Sequence, residues 1–148
     1  MSGNNSFFDL NDALCVALYR AHRLMNSAYK KYLDPLNLTY TQFLVMICLW
    51  NNEKLTIKEL GQKLQLNSGT LTPLVKRLIS LGYINKERCV ADERVVYISL
   101  TKIGKELKQK SESVPQDMFQ ELSLSFDEFK DIRSGVQKVV TNLSGGMQ

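Results

Sequence analysis

Three cysteines, Cys15, Cys48 and Cys89, are the side chains of this 148-residue chain best suited to covalent chemistry. They are odd in number, widely spaced and free of any CxxC pair, which argues against a disulfide framework and against a zinc ribbon. A single histidine, His22, makes a histidine-rich metal site hard to build. The sequence also lacks a phosphate-binding loop and a cluster of acids and bases at a useful spacing. We therefore expect that the thiols are free, that the protein binds no metal or cofactor, and that it is not an enzyme.

Basic and small polar side chains are concentrated in the middle of the chain. Residues 54–102 contain nine basic and four acidic residues, whereas residues 1–53 and 103–148 are close to neutral. Small polar side chains can reach base edges in the major groove of DNA, and helix N-terminal amides, lysine and arginine bind phosphates. The segment therefore predicts binding to double-stranded DNA. Its candidate contacts are Asn67, Ser68, Gly69, Thr70 and Thr72 at the start of a predicted helix, with Lys76 and Arg77 one turn later.

Two predicted strands supply a second candidate DNA contact. Residues 83–90 and 95–100 have the composition of strands, and the charged residues 91–94 join them as a turn. Arg94 is suited to enter a narrow minor groove, and Asp92 is close enough to orient it. Arg88 adds a positive charge to the first of these strands.

Hydrophobic periodicity predicts the helices that position these groups. Apolar residues three or four apart indicate an amphipathic helix from Phe8 to Tyr32, which ends near Pro35 because proline disfavours helix in the residue before it. Residues 41–50 are apolar nearly all round and indicate a buried helix. A capping box at Thr56–Glu59 begins a short helix that ends near residue 64.

The next helix ends near Leu81, with Gly82 as its C-terminal stop. Pro73 would cost a hydrogen bond in a helix capped by Ser68 but would lie in the first turn of one capped by Thr70, so we favour the later start or a bend. A helix over residues 101–122 is expected to kink at Pro115. A second capping box begins the last helix, whose apolar stripe is Phe126, Phe129, Ile132, Val136, Val139 and Leu143.

This order of elements is that of a winged helix-turn-helix. The sequence resembles the multiple antibiotic resistance regulator (MarR) family of bacterial winged-helix repressors over essentially its whole length. The motifs are LTYTQF at 38–43, TIKELGQKL at 56–64, SGTLTPLVKRL at 68–78, and DER at 92–94 followed by ISLT at 98–101.

The resemblance implies a mainly α fold with a small β-hairpin wing, in one domain over residues 1–148. Residues 38–100 would form the winged helix-turn-helix module, and residues 7–34 and 101–146 the dimerisation helices. A homodimer would bind an inverted-repeat operator. The apolar stripes of the terminal helices favour a dimer independently, because the module between them is too small to bury them all.

Within the family, the chain is most similar to the organic hydroperoxide resistance regulators and their thiol-switch relatives in Gram-positive bacteria. In that branch, peroxide oxidises an N-terminal cysteine whose sulfur accepts hydrogen bonds from tyrosines. The resemblance therefore implies that Cys15, within LCVALY at 14–19, is redox-sensing and that Tyr29 and Tyr40 support its thiol, with Tyr19 an additional tyrosine one turn away. Residues 101–148 lack the resolving cysteine of two-cysteine members, which points to a low-molecular-weight thiol as the cap of the oxidised sulfur. Cys89 as the resolving partner stays open.

Helix geometry constrains this arrangement. Cys15 and Tyr29 are fourteen residues apart, about 21 Å along a straight helix, so they cannot touch within one chain unless the helix breaks. Tyr29 would then come from the partner subunit. Oxidation at such an interface would remove hydrogen bonds or enlarge the side chain, which would shift the spacing of the recognition helices. This predicts a repressor released from DNA by an organic hydroperoxide or a related oxidant.

Several alternatives stay open at this stage. Cys15 could be a small buried apolar residue, as Cys48 is expected to be, whereas Cys89 near the wing could be exposed. The repressor could instead be gated by a small aromatic ligand bound between the dimer helices and the winged module. A thiol peroxidase or a purely structural protein fits less well. With no secretion signal and no apolar run long enough to cross a membrane, we expect a cytoplasmic protein.

Overall fold

A computed structural model of the chain describes residues 9–145, which are mainly helical and include one small sheet. The first unit, Met1–Glu112, and the second, Ser113–Gln148, are described separately. The elements of the first unit are α1 (Leu14–Leu33), a 3₁₀ turn (Asp34–Leu36), α2 (Tyr40–Trp50), β1 (Lys54–Thr56), α3 (Ile57–Leu64), α4 (Ser68–Ser80), β2 (Ile84–Arg88), β3 (Val96–Leu100) and α5 (Lys102–Lys110). Those of the second are α6 (Val114–Leu122) and α7 (Phe126–Leu143).

Helix α1 begins six residues later than the sequence predicts. The Asp9 carboxylate accepts a hydrogen bond from the Asn11 amide, and the Ala13 amide bonds to the Asp9 carbonyl, so residues 9–13 form a turn instead of a first helical turn. Phe8 and the predicted boundaries at residues 7 and 146 lie outside the described residues. The predicted end of the helix is confirmed, since the 3₁₀ turn carries Pro35 in its first positions.

The core of the first unit is centred on α2, as predicted from its apolar composition. Phe43, Val45, Met46 and Leu49 of this helix are fully buried. A capping box between Thr39 and Gln42, which was not predicted, begins α2. The two capping boxes that were predicted, Thr56 with Glu59 and Ser125 with Glu128, are both confirmed.

The favoured late start of α4 is wrong. Asn67 caps the helix, its side-chain oxygen accepting from the Thr70 amide at 2.9 Å, and the helix begins at Ser68 with Pro73 in its interior. Pro73 removes the amide that would otherwise bond to the carbonyl of Gly69. Gly69 is exposed, so water can take the place of that amide. Gly82, with φ of +77°, stops the helix as predicted.

The wing contains one strand more than the sequence predicts. The predicted strands are confirmed as the antiparallel pair β2 and β3, and β1 adds to the free edge of β3 to give the order β1-β3-β2. Leu55 of β1 lies opposite Ile98 of β3, and both are buried. Three residues are too few to show a strand pattern by themselves.

The single kinked helix predicted over residues 101–122 is also wrong. The structure has two separate helices, because α5 ends at Lys110 and α6 begins at Val114. Pro115 lies in the first turn of α6, where a missing amide costs no helical hydrogen bond. Proline therefore begins a helix here and does not bend one.

Both terminal helices expose apolar side chains. Leu14 and Leu24 of α1 are 60% and 70% exposed, and α7 has no buried residue at all. The exposed apolar residues of α7 are Phe126, Ile132, Val136, Val140 and Leu143. Among the described residues, no helix is long and apolar enough to span a membrane.

Candidate nucleic-acid interface and thiol site

Helices α3 and α4 form a helix-turn-helix with a tight connection. Gln65 ends α3 in the left-handed conformation, with φ of 53°. A Cβ on Gly61 would lie 2.8 Å from the carbonyl oxygen of Leu66, so a glycine is needed where the turn folds back on α3. Buried Leu71 and Leu78 fix α4 on the core.

The opposite surface of α4 presents the predicted DNA contacts together. Every one of them is exposed: Asn67, Ser68, Gly69, Thr70, Thr72, Lys76 and Arg77. Two are also used within the helix, since Asn67 is the cap and the Thr72 hydroxyl donates to the Ser68 carbonyl at 2.7 Å. These local bonds hold the polar start of the helix in one conformation.

The wing tip is closed by backbone hydrogen bonds and oriented by Asp92. The Cys89 amide bonds to the Val95 carbonyl and the Val95 amide to the Asp92 carbonyl, each at 2.9 Å. The Asp92 carboxylate accepts from the Arg94 amide at 3.0 Å and from its Nε at 3.4 Å. The Arg94 side chain is otherwise 94% exposed, so the structure places it at the tip with the orienting contact that the sequence predicts.

The two faces of the sheet differ in charge. Lys86 lies opposite Ile98 and Arg88 opposite Val96, and directly paired residues share a face. The buried residues of that face, Ile84 and Ile98, pack into the core. Lys86 and Arg88 therefore extend from the face of the sheet that lies toward the helices. Glu87 points the other way, opposite Tyr97 and 3.8 Å from the Lys54 ammonium. Lys86 is not among the predicted DNA contacts, and the alternation of Ile84, Lys86 and Arg88 could have indicated that it shares a face with Arg88.

Cys15 is the second residue of α1 and is exposed, in contrast to a buried core residue. It lines a shallow, mostly apolar depression together with Leu10, Val16, Tyr19 and Arg20. Tyr19 is therefore the one predicted thiol-supporting tyrosine that the described chain places on the same surface as the sulfur.

Tyr29 and Tyr40 form a separate cluster. Their ring centroids are 5.0 Å apart, Phe43 lies 5.9 Å from Tyr29, and the exposed His22 ring lies 6.2 Å from Tyr40. Because α1 is unbroken from Leu14 to Leu33, Tyr29 is about 21 Å along the helix from Cys15 and does not reach it within the chain. Burial raises the pKa of both phenols, and the neighbouring Tyr40 raises the pKa of Tyr29 further. Both therefore remain hydrogen-bond donors at neutral pH.

Cys48 is expected to be buried, and Cys89 near the wing could be exposed. Both are half-buried. Burial raises the pKa of the Cys48 thiol, and the Lys63 ammonium offsets this in part. A thiol with a raised pKa is a weaker nucleophile at neutral pH because less of it is thiolate. Residues 9–145 contain no group of three histidine, cysteine or acidic side chains that could hold a metal ion.

Comparisons with known proteins identify the family of this chain. Residues 27–111 match a family model described as transcriptional regulator SarA/Rot. The chain is 40% identical over 134 residues to the organic hydroperoxide resistance transcriptional regulator of Bacillus subtilis strain 168, which covers 90% of this chain and 91% of that protein. This chain belongs to the MarR family of winged-helix transcriptional regulators.

Solved structures of MarR-family regulators agree with the fold. AbfR of Staphylococcus epidermidis has a TM-score of 0.77 and 33% identity, over 92% of this chain and 94% of that one. A MarR C80S mutant from E. coli complexed with operator DNA has a TM-score of 0.75 and 28% identity, over 88% and 96%. AbfR has also been solved reduced on DNA, overoxidised on DNA, and with a disulfide. The predicted family and the winged helix-turn-helix fold are thus confirmed, and α4 is the second helix of the helix-turn-helix.

The tyrosine cluster predicts a loss of stability at alkaline pH. The pKa values of Tyr29 and Tyr40 are raised from the ordinary 10.0, so the unfolded chain gives up these protons at lower pH than the folded chain. The stability that these raised pKa values contribute is fully present well below pH 10 and is lost as the pH rises through the folded pKa values. We expect Tyr40→Phe to lose less stability than wild type between about pH 9 and 11, measured by urea unfolding. Tyr19→Phe, which removes an exposed phenol, is the matched control, and equal losses in wild type and Tyr40→Phe would contradict the prediction.

Proposed function

We propose that this protein is a dimeric transcriptional repressor that leaves its operator when an organic hydroperoxide or a related oxidant reacts with Cys15. The observation that carries the proposal is an exposed thiol on the first helix of a chain whose α4 and wing present a polar, basic surface. The relationship to the organic hydroperoxide resistance regulator of B. subtilis supports the same conclusion.

DNA would be bound by α4 and the wing together. The polar residues at the start of α4 are placed for base edges, and Lys76, Arg77 and Arg88 for phosphates. Arg94, held by Asp92 at the wing tip, is placed for a minor groove. Lys86 adds a further phosphate contact, because it shares the helix-side face of the sheet with Arg88.

Lys86→Gln tests this interface. Each lysine–phosphate contact releases counterions, so the variant should bind all DNA sequences more weakly and lower the slope of log affinity against log salt by about two per dimer, one for each subunit. Lys30→Gln on α1 makes the same charge change outside α4 and the wing and should leave the slope unchanged. Fluorescence anisotropy over a range of salt concentrations measures both, and equal slopes for the two variants would rule out the Lys86 contact.

The dimer would be formed by the terminal helices, whose exposed apolar side chains need a partner surface. We expect sedimentation equilibrium at micromolar concentration to give twice the chain mass of 16.9 kDa. Ile132→Asp would bury a charge in the interface and should yield monomers, whereas Asp131→Asn at the adjacent position should not. A monomeric wild-type protein would contradict the proposed dimer.

The redox step would proceed at the Cys15 sulfur. The thiolate attacks one oxygen of the hydroperoxide, the O–O bond breaks, a sulfenic acid forms and the alcohol leaves after taking a proton. A low-molecular-weight thiol then condenses with the sulfenic acid, giving a mixed disulfide and water. Tyr19 of the same chain, with Tyr29 and Tyr40 of the partner subunit, would hydrogen-bond the reduced sulfur. Loss of these hydrogen bonds, or the added bulk of the mixed disulfide, would change the distance between the recognition helices of the two subunits.

Cys15→Ser tests the sensor directly. Wild-type protein should bind its own promoter DNA when reduced and release it after treatment with cumene hydroperoxide and free cysteine, whereas Cys15→Ser should bind under both conditions. Cys48→Ser and Cys89→Ser are the matched controls and should respond like wild type. If Cys15→Ser is released as readily as wild type, oxidation of Cys15 is not the signal. A MarR-type repressor gated by a small aromatic ligand would then be the better description.

A further inference from the structure

Tyr83 joins four elements of the first unit. Its amide donates to the carbonyl of Leu78 in the last turn of α4, at 3.1 Å, and its carbonyl accepts from the amide of Thr101, the cap of α5, also at 3.1 Å. Its hydroxyl donates to the carbonyl of Leu36, in the 3₁₀ turn after α1, at 3.0 Å. The next residue, Ile84, begins β2 of the wing.

The backbone of Tyr83 is fixed to the recognition helix. Leu81 is the C-cap, Gly82 follows in the left-handed conformation, and the Gly82 amide bonds to the Ile79 carbonyl at 2.9 Å. Together with the bond from Tyr83 to Leu78, these contacts are the two hydrogen bonds of a Schellman motif. Tyr83 must therefore move with the C-terminal end of α4.

The same backbone is fixed to the base of the wing and to α5. The Thr101 hydroxyl donates to the Gly82 carbonyl at 2.6 Å. Gly104 lies so close that a Cβ there would overlap the Tyr83 carbonyl. The Gly104 carbonyl in turn accepts from the Trp50 indole at 2.9 Å, which ties this junction to α2.

The hydroxyl bond connects this junction to α1. Leu36 belongs to a rigid segment, because Leu33 and Leu38 on either side of it are buried and the Leu38 amide bonds back to the Leu33 carbonyl at 3.2 Å. Helix α1 is continuous over 20 residues, about 30 Å, with Cys15 near one end and this segment at the other. A stiff helix transmits a displacement of one end to the other.

We propose that Tyr83 is the positioning residue that couples α1 to the recognition helix and wing, through the hydrogen bond from its hydroxyl to Leu36. The inference rests on the proposed function, because it assigns the route by which a change at Cys15 alters DNA binding. Tyr83→Phe removes the hydroxyl and its hydrogen bond to Leu36 and keeps the aromatic ring. The coupling is measured as the ratio of the dissociation constants of oxidised and reduced protein for the same DNA.

Tyr83→Phe should bind DNA within about twofold of wild type when reduced and should lower the oxidised-to-reduced ratio by about two- to tenfold, the range that one hydrogen bond can carry. Tyr97→Phe is the matched control, because among residues 9–145 its hydroxyl makes no hydrogen bond, and it should keep the wild-type ratio. Mass spectrometry would confirm equal modification of Cys15 in all three proteins, and far-UV circular dichroism equal folding.

A wild-type ratio in Tyr83→Phe would overturn the assignment and leave the proposed function intact. If that ratio came with an equal loss of affinity in the reduced and oxidised forms, the role of Tyr83 would be structural only. A wild-type protein whose affinity does not change on oxidation would instead overturn both the proposed function and the coupling role of Tyr83.

Discussion

The close approach of Gly104 to the backbone of Tyr83 is the constraint on which the DNA-binding module depends. At this point the end of α4, the residue before β2 and the first turn of α5 meet at main-chain distance, and a larger residue would force them apart. Such an approach fixes the angle between α4 and the wing, on which the proposed contact of both elements with DNA would depend. The polar and basic side chains can vary around this frame, but their relative positions are set by it.

Local sequence signals predicted the elements that depend on local physics. Some signals satisfy backbone groups only a few residues away, namely the capping boxes at Thr56 and Ser125 and the helix stop at Gly82. Each can therefore be predicted without knowledge of the fold. The structure departs from prediction where distant residues decide. Strand β1 exists because β3 offers a free edge, and the start of α4 was set by Asn67 in spite of Pro73.

The candidate sites show the same division. The exposed start of α4 and the Asp92–Arg94 pair at the wing tip follow from residues close together in sequence, and both were predicted. The position of Lys86 was not predicted because its face is defined by its pairing with Ile98. The hydrogen bond of the Tyr83 hydroxyl could not be predicted, since it reaches a carbonyl 47 residues away. The proposed hydrogen bond from Tyr29 to Cys15 would need a second subunit, because the unbroken α1 keeps the two residues apart within one chain.

The indole of Trp50 gives this junction a natural optical label. It is the sole tryptophan in the sequence, it is half-buried, and its N–H is hydrogen-bonded to the Gly104 carbonyl. Indole emission shifts in wavelength with the polarity and hydrogen bonding of its surroundings. Any rearrangement that separates α2 from the first turn of α5 would therefore appear in the intrinsic fluorescence of the unmodified protein, with no other tryptophan to obscure it.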